Sequence, residues 1–326
     1  MAVARAGMSV SIAFVGAGNI AGRHFDTLES LDGADVVAIC DIDEDAAASA
    51  GERFDAATFT DWEAMYDEAT FDAVFVCLPP FAHEGQELAA AERGVDLFVE
   101  KPLALDLEYA EDVRDTVAEH GVVAQVGYNW RYSPGVEYVR DVLADRTVGY
   151  VDGWWWGGVP GGESHWWRHR DRSGGQVVEQ ATHIFDTVRH LAGDVERVAA
   201  AGGNELEDLV DFPDVTSATM THAGPAVSHV STSCAAERGK HGLEVVADGA
   251  TLSFDQRSVS GTVDGEEVEE SWDANPYARE VEAFVEAVAT GDDAGVRSTY
   301  GDAVESLAVT LAVEESIAAG EPVSLD

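Results

Sequence analysis

The apolar run Val10–Val15 is followed directly by a glycine-rich turn, and few chain architectures accommodate that arrangement. The turn reads G-A-G-N-I-A, with Gly16 and Gly18 at the glycines of the dinucleotide-binding pattern G-x-G-x-x-A. The first glycine permits a tight turn, and the second lets a pyrophosphate approach the backbone. Asn19 and Ile20 then begin a helix whose unpaired N–H groups can bind that pyrophosphate. The pattern predicts a nucleotide-binding strand–turn–helix unit.

An acidic residue follows the second predicted strand. Asp41 comes directly after the apolar run Asp35–Cys40, roughly 20 residues beyond the glycines, where such folds place the carboxylate that binds the adenosine ribose hydroxyls. Asp43 adds negative charge, and no arginine lies close by to hold a 2′-phosphate. The predicted cofactor is therefore NAD rather than NADP.

The first 130 residues alternate short apolar runs with helical patterns. Further runs lie at 71–78, 96–99 and 122–126, and helices are predicted near 20–31, 43–51, 61–68, 82–93 and 106–120. Apolar runs without alternation indicate strands buried on both faces of a parallel sheet. The pattern predicts a doubly wound α/β domain of the Rossmann type over residues 1–128.

The pattern changes after about residue 130. Helices are predicted near 134–144 and 176–192, before β-rich segments between 195 and 263, and two more near 276–290 and 299–319. Short turns between the β-rich segments favour antiparallel pairing. The sequence therefore predicts a second, α+β domain over residues 129–326.

Acidic residues greatly outnumber basic ones. The chain has 62 Asp and Glu against 19 Lys and Arg, a formal net charge of −43. Such a surface repels phosphate backbones and anionic membranes, so we expect no nucleic-acid or membrane partner. It also repels itself, and molar salt, in which the screening length is roughly 3 Å, removes most of that penalty. We interpret the composition as that of a halophilic protein.

Three scattered cysteines, Cys40, Cys77 and Cys234, show neither a disulfide framework nor metal-ligand spacing. The first ten residues carry one arginine and no separate signal h-region. No apolar run approaches the ~20 residues that a membrane-spanning helix needs. Together these features predict a cytoplasmic protein.

The chain contains only two lysines, Lys101 and Lys240. Lys101 lies in Glu100-Lys101-Pro102 at the end of the fifth predicted strand, on the sheet edge where open α/β folds bind ligands. Lysine offers a compact ammonium with three donors and a pKa that its surroundings can shift, which arginine does not. We predict a functional lysine here; the alternative is an ordinary surface residue.

Five motifs occur in a fixed order along the chain: Gly16–Gly22 followed by His24, Leu78-Pro79-Pro80 with His83, Glu100-Lys101-Pro102, G-Y-N-W-R-Y-S-P at 127–134, and G-G-Q-V-V-E-Q-A-T-H-I-F-D at 174–186. In this order and spacing they resemble the Gfo/Idh/MocA family of NAD(P)-dependent oxidoreductases. The resemblance implies a C-terminal domain with a large, open, mainly antiparallel sheet, through which the chain forms a homo-oligomer, a dimer or tetramer. It also implies a sugar, inositol or related polyol as substrate.

Hydride transfer from a secondary alcohol needs a base for the hydroxyl proton and positive charge for the developing alkoxide. His183 is the predicted base, because the ordinary pKa of an imidazole, about 6.5, suits neutral pH. Lys101 is predicted to hold the reacting oxygen. Glu179 lies four residues before His183 on one predicted helix, so the two share a face. Family members commonly carry Asp there; Glu179 either assists His183 or contacts another substrate hydroxyl.

The remaining candidate residues follow from the resemblance. Cofactor contacts are implied for Leu78, Pro79, His83, Glu100 and Arg168, and substrate contacts for Asn129 and Trp167. His83 either shapes the nicotinamide pocket or caps the predicted helix at 82–93. Trp167 and Arg168 lie in a Gly-flanked loop, from which either can reach cofactor or substrate. No metal is predicted, since His165 and His169 lack partners at ligand spacing.

Two alternative functions stay open at this point. Some relatives use bound NAD transiently to cleave glycosides through oxidation and elimination, without net NADH production. Related folds also serve as non-catalytic, cofactor-sensing regulators. Retention of both Lys101 and His183 favours the dehydrogenase.

Overall fold

The computed structural model describes residues 9–325, which divide into two compact units. Within that range the first unit takes 9–127 and 277–304, and the second takes 128–276 and 305–325. The domain boundary predicted from the sequence, between residues 128 and 129, lies one residue from the point where the chain first passes into the second unit. The same prediction assigned 277–304 to the second domain, whereas these residues belong to the first unit. The first ten residues, used above to predict the compartment, lie mostly outside the described range.

Six parallel strands form the sheet of the first unit, in the order β3-β2-β1-β4-β5-β6. They are β1 (Val10–Val15), β2 (Ala34–Cys40), β3 (Ala57–Phe59), β4 (Ala73–Val76), β5 (Asp96–Val99) and β6 (Ala124–Val126). The intervening helices are α1 (Asn19–Leu28), α2 (Glu44–Phe54), α3 (Trp62–Glu68), α4 (Gln86–Glu92) and α5 (Leu107–His120). The predicted Rossmann topology is confirmed; only the three-residue β3 was not predicted.

The second unit is built on a nine-stranded sheet. Its helices are α6 (Pro134–Leu143), α7 (Arg170–Ser173), α8 (Gly175–Glu179) and α9 (Thr182–Ala192). The strands before the last helices are β7 (Val148–Trp156), β8 (Val195–Gly203), β9 (Val215–His222), β10 (Val227–Ser233), β11 (Lys240–Ala247), β12 (Ala250–Phe254), β13 (Ser258–Val263) and β14 (Glu266–Ser271). Then follow α10 (Pro276–Thr290), α11 (Tyr300–Ala319) and β15 (Val323–Ser324).

Strand order in this sheet is β14-β13-β12-β11-β7-β10-β9-β8-β15. Only the β7–β10 pair is parallel among the described pairings, so the predicted mainly antiparallel sheet is confirmed. Side chains of β9 alternate between buried and exposed, as expected for a sheet covered on one face. Helix α9 covers that face over β7 and β10.

Aromatic rings explain why a distant segment joins the first unit. Phe75 stacks between Phe14 and Phe98, with ring centroids 4.8 and 4.5 Å apart. Phe284 of α10 packs edge-on against Phe75 and Phe98, at 5.4 and 5.6 Å. Burying a phenylalanine contributes about 1.5–3 kcal/mol. Residues 277–304 therefore complete the first core, a long-range contact that sequence pattern does not reveal.

The predicted helix at 176–192 is wrong, because the chain forms two helices there. The N–H of Ala181 donates to the carbonyl of Gln176, five residues back, and the N–H of Ile184 donates to Ala181, only three back. The i→i−4 ladder is thus interrupted between α8 and α9. Glu179 ends one helix and His183 lies in the next, so their predicted common helical face does not exist.

None of the helices in the described range is both long and apolar enough to cross a bilayer.

Candidate functional site

The predicted cofactor residues of the first unit gather at one edge of its sheet. Gly16 follows β1, Asp41 follows β2, Leu78 follows β4 and Lys101 follows β5. Because all these strands are parallel, their carboxyl ends meet at the same edge. That edge is where open α/β sheets bind ligands.

The glycine turn has the geometry of an anion site. Gly16 has φ +96°, and a Cβ there would lie 2.4 Å from the carbonyl oxygen of Cys77, so only glycine fits. A Cβ on Gly18 would meet nothing within 4 Å. Gly18 also precedes α1 without a side-chain cap, which leaves the first N–H groups of this ten-residue helix open to a ligand. These features fit a pyrophosphate.

Asp41 stabilises the glycine turn through backbone hydrogen bonds. Its Oδ2 accepts the N–H of Ala17 at 2.7 Å, and its Oδ1 accepts the N–H of Asp43 at 2.9 Å. A carboxylate has about four lone-pair sites, so acceptor capacity remains for ribose hydroxyls.

The next residue, Ile42, was not singled out from the sequence. Its side chain is 95% exposed although it is large and apolar. An exposed isoleucine at the ligand edge provides a surface for a flat aromatic base. The available signal was its position between two acids, directly after a buried strand.

His83 does not cap α4, because that helix begins only at Gln86 with Gly85 as its N-cap. The buried His83 ring pairs through Nδ1 with Glu87, and its Nε2 lies 3.4 Å from the carbonyl oxygen of Leu78. Burial alone would lower the pKa of His83, but the carboxylate of Glu87 outweighs it and the pKa is raised. The ring thereby links Glu87 of α4 to the Leu78-Pro79 segment.

Glu100 is directed into the protein rather than toward a ligand. It is 4% exposed, its Oε1 lies 2.8 Å from Nε2 of His24, and its Oε2 accepts the backbone N–H of Lys101 at 3.1 Å. The predicted cofactor contact of Glu100 therefore gives way to a supporting role. Lys101 itself is half-buried.

In the second unit, aromatic rings enclose His183. Its ring lies 5.9 Å from Trp155, nearly parallel, and 6.0 Å from Tyr128, edge to face, and the residue is 5% exposed. Three residues later in the chain, the buried Asp186 accepts hydrogen bonds from both Nε and Nη2 of Arg131, at 2.8 and 2.6 Å. This bidentate pair fixes the segment at 128–132 against α9 and so holds the walls around the imidazole.

Trp155 of β7, which the sequence did not mark as a site residue, is part of the surroundings of His183. Besides facing His183, its ring lies 4.0 Å from the ring of His241 on β11. Burial lowers the pKa of His241 and so favours its neutral form. The three consecutive tryptophans gave no signal that the middle one would reach a predicted catalytic residue.

Trp167 is buried, with 1% of its surface exposed, and packs edge-on against Phe212 at 5.1 Å. Its indole N–H donates to Oε2 of Glu179 at 2.5 Å. The ring is therefore not available as a stacking surface for a sugar, contrary to the predicted direct contact. It positions Glu179 instead, a role that sequence spacing did not suggest.

Arg168 and Asn129 are also buried. Nε of Arg168 donates to the carbonyl of Gly162 at 2.9 Å, while Nη1 has no hydrogen-bond partner among the described residues. Oδ1 of Asn129 accepts from Gln256 at 2.7 Å. A buried guanidinium nitrogen without a partner is costly, so Arg168 is suited to an anionic or hydroxyl ligand.

A parallel sheet with an uncapped glycine turn and an acid after the second strand defines a dinucleotide-binding domain. Residues 10–128 match the model of the oxidoreductase family with the NAD-binding Rossmann fold, and residues 136–253 match the GFO/IDH/MocA C-terminal domain. The chain belongs to the Gfo/Idh/MocA family of oxidoreductases. The resemblance seen in the five motifs is thereby confirmed.

Similar proteins act on sugar-like molecules. The chain is 27% identical to 2,7-anhydro-N-acetylneuraminate hydratase of Mediterraneibacter gnavus, over 79% of this chain and 71% of the relative. It is 26% identical to inositol 2-dehydrogenase of Rubrobacter xylanophilus, over 96% and 92%. Levoglucosan dehydrogenase in complex with NADH and L-sorbose has the same fold, with a TM-score of 0.87 and 18% identity, over 98% of this chain and 99% of that one.

Proposed function

We propose that this chain is an NAD-dependent dehydrogenase that oxidises a secondary alcohol of a sugar, inositol or related polyol, or reduces the corresponding carbonyl. The observation that carries the proposal is the sheet edge of the first unit, where the open glycine turn, Asp41 and Lys101 meet. The names of the inositol and levoglucosan dehydrogenases support the substrate class.

Each predicted residue has one task in this proposal. When bound, NAD supplies the acceptor for the hydride. The ammonium of Lys101 holds the substrate oxygen and stabilises the negative charge that develops on it. His183 takes the hydroxyl proton. Glu179, held by the indole of Trp167, contacts a further hydroxyl of the substrate.

Asp41 supports NAD over NADP. Its carboxylate stands at the end of β2 with acceptor capacity left for two ribose hydroxyls, and Asp43 follows two residues later. A 2′-phosphate would meet these like charges, which costs several kcal/mol. We also propose cofactor contacts for the residues at the start of α1 and for those that the family resemblance implies, namely Asn19, Ile20, Leu78, Pro79 and Arg168.

A substrate screen tests the proposal. We expect NADH to form with at least one aldose, inositol or sugar acid in molar KCl, with kcat/KM at least about tenfold higher for NAD than for NADP. Absorbance of the reduced nicotinamide is the measurement. Turnover of a nitrophenyl glycoside without net NADH, in the absence of any polyol oxidation, would favour the oxidation–elimination alternative. NAD binding without turnover of any substrate would favour a regulator.

Replacing Ile42 by serine is expected to weaken NAD binding by about tenfold, because the adenine loses roughly 1.5 kcal/mol of apolar contact. The melting temperature should not change, since this side chain is 95% exposed. Leu206→Ser is the matched control: that side chain is 69% exposed and lies in the second unit. Titration by NADH fluorescence measures both. An unchanged affinity in the Ile42 variant would remove this residue from the site.

We also propose a homo-oligomer, a dimer or tetramer, formed through the open face of the nine-stranded sheet. Tyr150 of β7 pairs in register with Val227 and with Val246, and all three side chains are about two-fifths exposed. They form a small apolar stripe across three neighbouring strands, a feature typical of interfaces. A cytoplasmic location is proposed as well, supported by three cysteines that are all unpaired.

A further inference from the structure

Three ionisable side chains meet in the interior of the first unit, and the reaction proposed above uses none of them directly. They are His24 of α1, Glu100 after β5 and Glu280 of α10, which are 0, 4 and 0% exposed. One nitrogen or oxygen from each lies within 4.8 Å of the others. Phe75 and Phe98 pack against the His24 ring at 5.5 and 5.0 Å, so the surroundings are apolar.

Glu100 is well provided with hydrogen-bond donors and Glu280 has none. His24 and the backbone N–H of Lys101 each serve one oxygen of Glu100. Both oxygens of Glu280 are buried without a partner among the described residues. The backbone of Glu280 is fixed, because its carbonyl accepts Nε2 of Gln125 at 2.8 Å. The carboxyl group is therefore held in this interior rather than free to turn to solvent.

An ionised Glu280 is difficult to reconcile with this setting. Burying an unpaired carboxylate costs several kcal/mol, and a second carboxylate nearby increases that cost. Burial, followed by repulsion from Glu100, raises the pKa of Glu280 well above its usual value. Other titratable groups near it are the Cys77 thiol, whose pKa is also raised by burial and by both carboxylates, and the Tyr277 phenol.

A divalent cation would be another way to neutralise the group, but the hydrogen bonds disfavour it. Histidines that bind metals almost always donate their second ring N–H to an acceptor. Nδ1 of His24 is buried without a partner in the part of the chain that the structure describes, whereas Nε2 lies at hydrogen-bond distance from Glu100. A neutral ring that donates from Nε2 and keeps a lone pair on Nδ1 accounts for both observations.

We infer that Glu280 carries a proton at neutral pH and donates it to Glu100, so that Glu100 holds the backbone of Lys101 in place. A small rotation brings the acid onto a neighbour that already lies within 4.8 Å. Glu100 then accepts from three sides: His24, Lys101 and Glu280. Gly127 closes the remaining side, since a Cβ there would lie 2.9 Å from Oε2 of Glu100.

Glu280 is thus a positioning residue, and its effect on catalysis rests on the proposed role of Lys101. Its protonation does not depend on that role. The consequence for stability has a definite sign. A group whose folded pKa is raised stabilises the fold fully below its unfolded pKa, about 4.5, and this contribution is lost as the pH rises toward the folded pKa.

The variant Glu280→Gln tests the protonation, because glutamine has the same shape, keeps a donor and never ionises. In the infrared difference spectrum at neutral pH we expect the carbonyl band of an un-ionised carboxylic acid to disappear. In denaturant unfolding, the stability of the variant relative to the unaltered chain should increase as the pH rises above 4.5. The ratio of their unfolding constants should change by up to about tenfold per pH unit. Loss of carboxylate bands instead, or one equivalent of bound divalent metal that the variant lacks, would overturn the inference.

The variant Glu280→Ala tests the positioning. Without the donor, kcat should fall by about tenfold while KM for NAD is unchanged, and Glu280→Gln should recover most of kcat. Val281→Ala is the matched control, because Val281 is a fully buried neighbour on α10 without a polar group. It should lower the melting temperature and spare kcat. Equal losses of kcat in Val281→Ala and Glu280→Ala would contradict the positioning role. If Lys101 proves dispensable, the proposed function fails while the infrared result stands.

Discussion

Replacing Lys101 by methionine is expected to lower kcat by about a hundred- to a thousandfold while NADH affinity stays within about twofold. Methionine keeps an unbranched side chain of similar length and removes the ammonium. Removing one charge that stabilises an oxyanion usually costs this much, because the loss falls on the transition state. Stopped-flow turnover and NADH fluorescence measure the two quantities separately.

The chain offers a matched control, since it has one other lysine. Lys240 lies exposed on β11, with Nζ 4.1 Å from the ring centroid of Trp154 and 5.0 Å from that of Trp156. Lys240→Met should therefore leave kcat and NADH affinity unchanged. Equal activity of the two methionine variants would show that Lys101 has no catalytic part.

His183→Gln extends the same experiment. General-base removal typically costs a hundred- to ten-thousandfold, and the acid limb of the pH–rate profile should flatten. If Lys101 and His183 act on one hydroxyl, the double variant should be little slower than the worse single variant, because effects of groups that act together are not additive. Fully multiplicative losses would mean that the two residues serve separate steps.

Dialysis from molar KCl into low-salt buffer is expected to unfold the protein. The screening length grows from roughly 3 Å at 1 M to roughly 30 Å at 0.01 M, so the net charge of −43 repels itself over most of the molecule. Loss of about 5–10 kcal/mol would consume the stability of a typical domain and lower the melting temperature by roughly 20 °C or more. Calorimetry at several KCl concentrations measures this. A melting temperature independent of KCl would reject halophily.

Strand β14 provides a local test of whether repulsion between acidic side chains destabilises the protein in low salt. Its four glutamates, Glu266, Glu267, Glu269 and Glu270, are all exposed on an edge strand. Their register partners on β13 are Val263, Thr262, Ser260 and Val259, none of which is basic. Changing all four to glutamine should raise the melting temperature by a few degrees at the lowest KCl concentration at which the protein still folds, and leave it unchanged in molar KCl. Sucrose in place of KCl should stabilise both proteins alike and leave the difference between them, because it does not screen charge.

Local pattern was sufficient to predict the first unit. Glycines at 16 and 18, continuous apolar strands and Asp41 each specify the same topology, so their agreement left few alternatives. Strand β3 was not predicted, because its three residues, Ala57–Phe59, are too few to show a hydrophobic pattern. The packing of 277–304 against the first core was not predicted either. In the sequence, Phe284 is an ordinary apolar helix residue, and only its contacts with Phe75 and Phe98 show where it belongs.

The surroundings of the candidate site residues could not be predicted from the sequence. The interruption between α8 and α9 has no proline or glycine to signal it, so the shared face of Glu179 and His183 could not be tested from sequence. Trp167 and Glu100 are buried, and each is hydrogen-bonded to a residue distant in the chain, Glu179 and His24 respectively. Such tertiary partners cannot be read from local sequence. Ile42 was not predicted for the opposite reason, because what marks it is the exposure of a large apolar side chain to solvent, which the sequence does not show.

The contribution of α10 to the first core has a practical consequence for anyone who wants this nucleotide-binding module by itself. A truncated protein ending at Gly127 would retain the sheet but expose the faces of Phe75 and Phe98 that Phe284 covers. Glu100 would also lose its buried neighbour Glu280. A soluble minimal module would have to be assembled by grafting the segment Tyr277–Val304 back behind β6 through a short artificial linker.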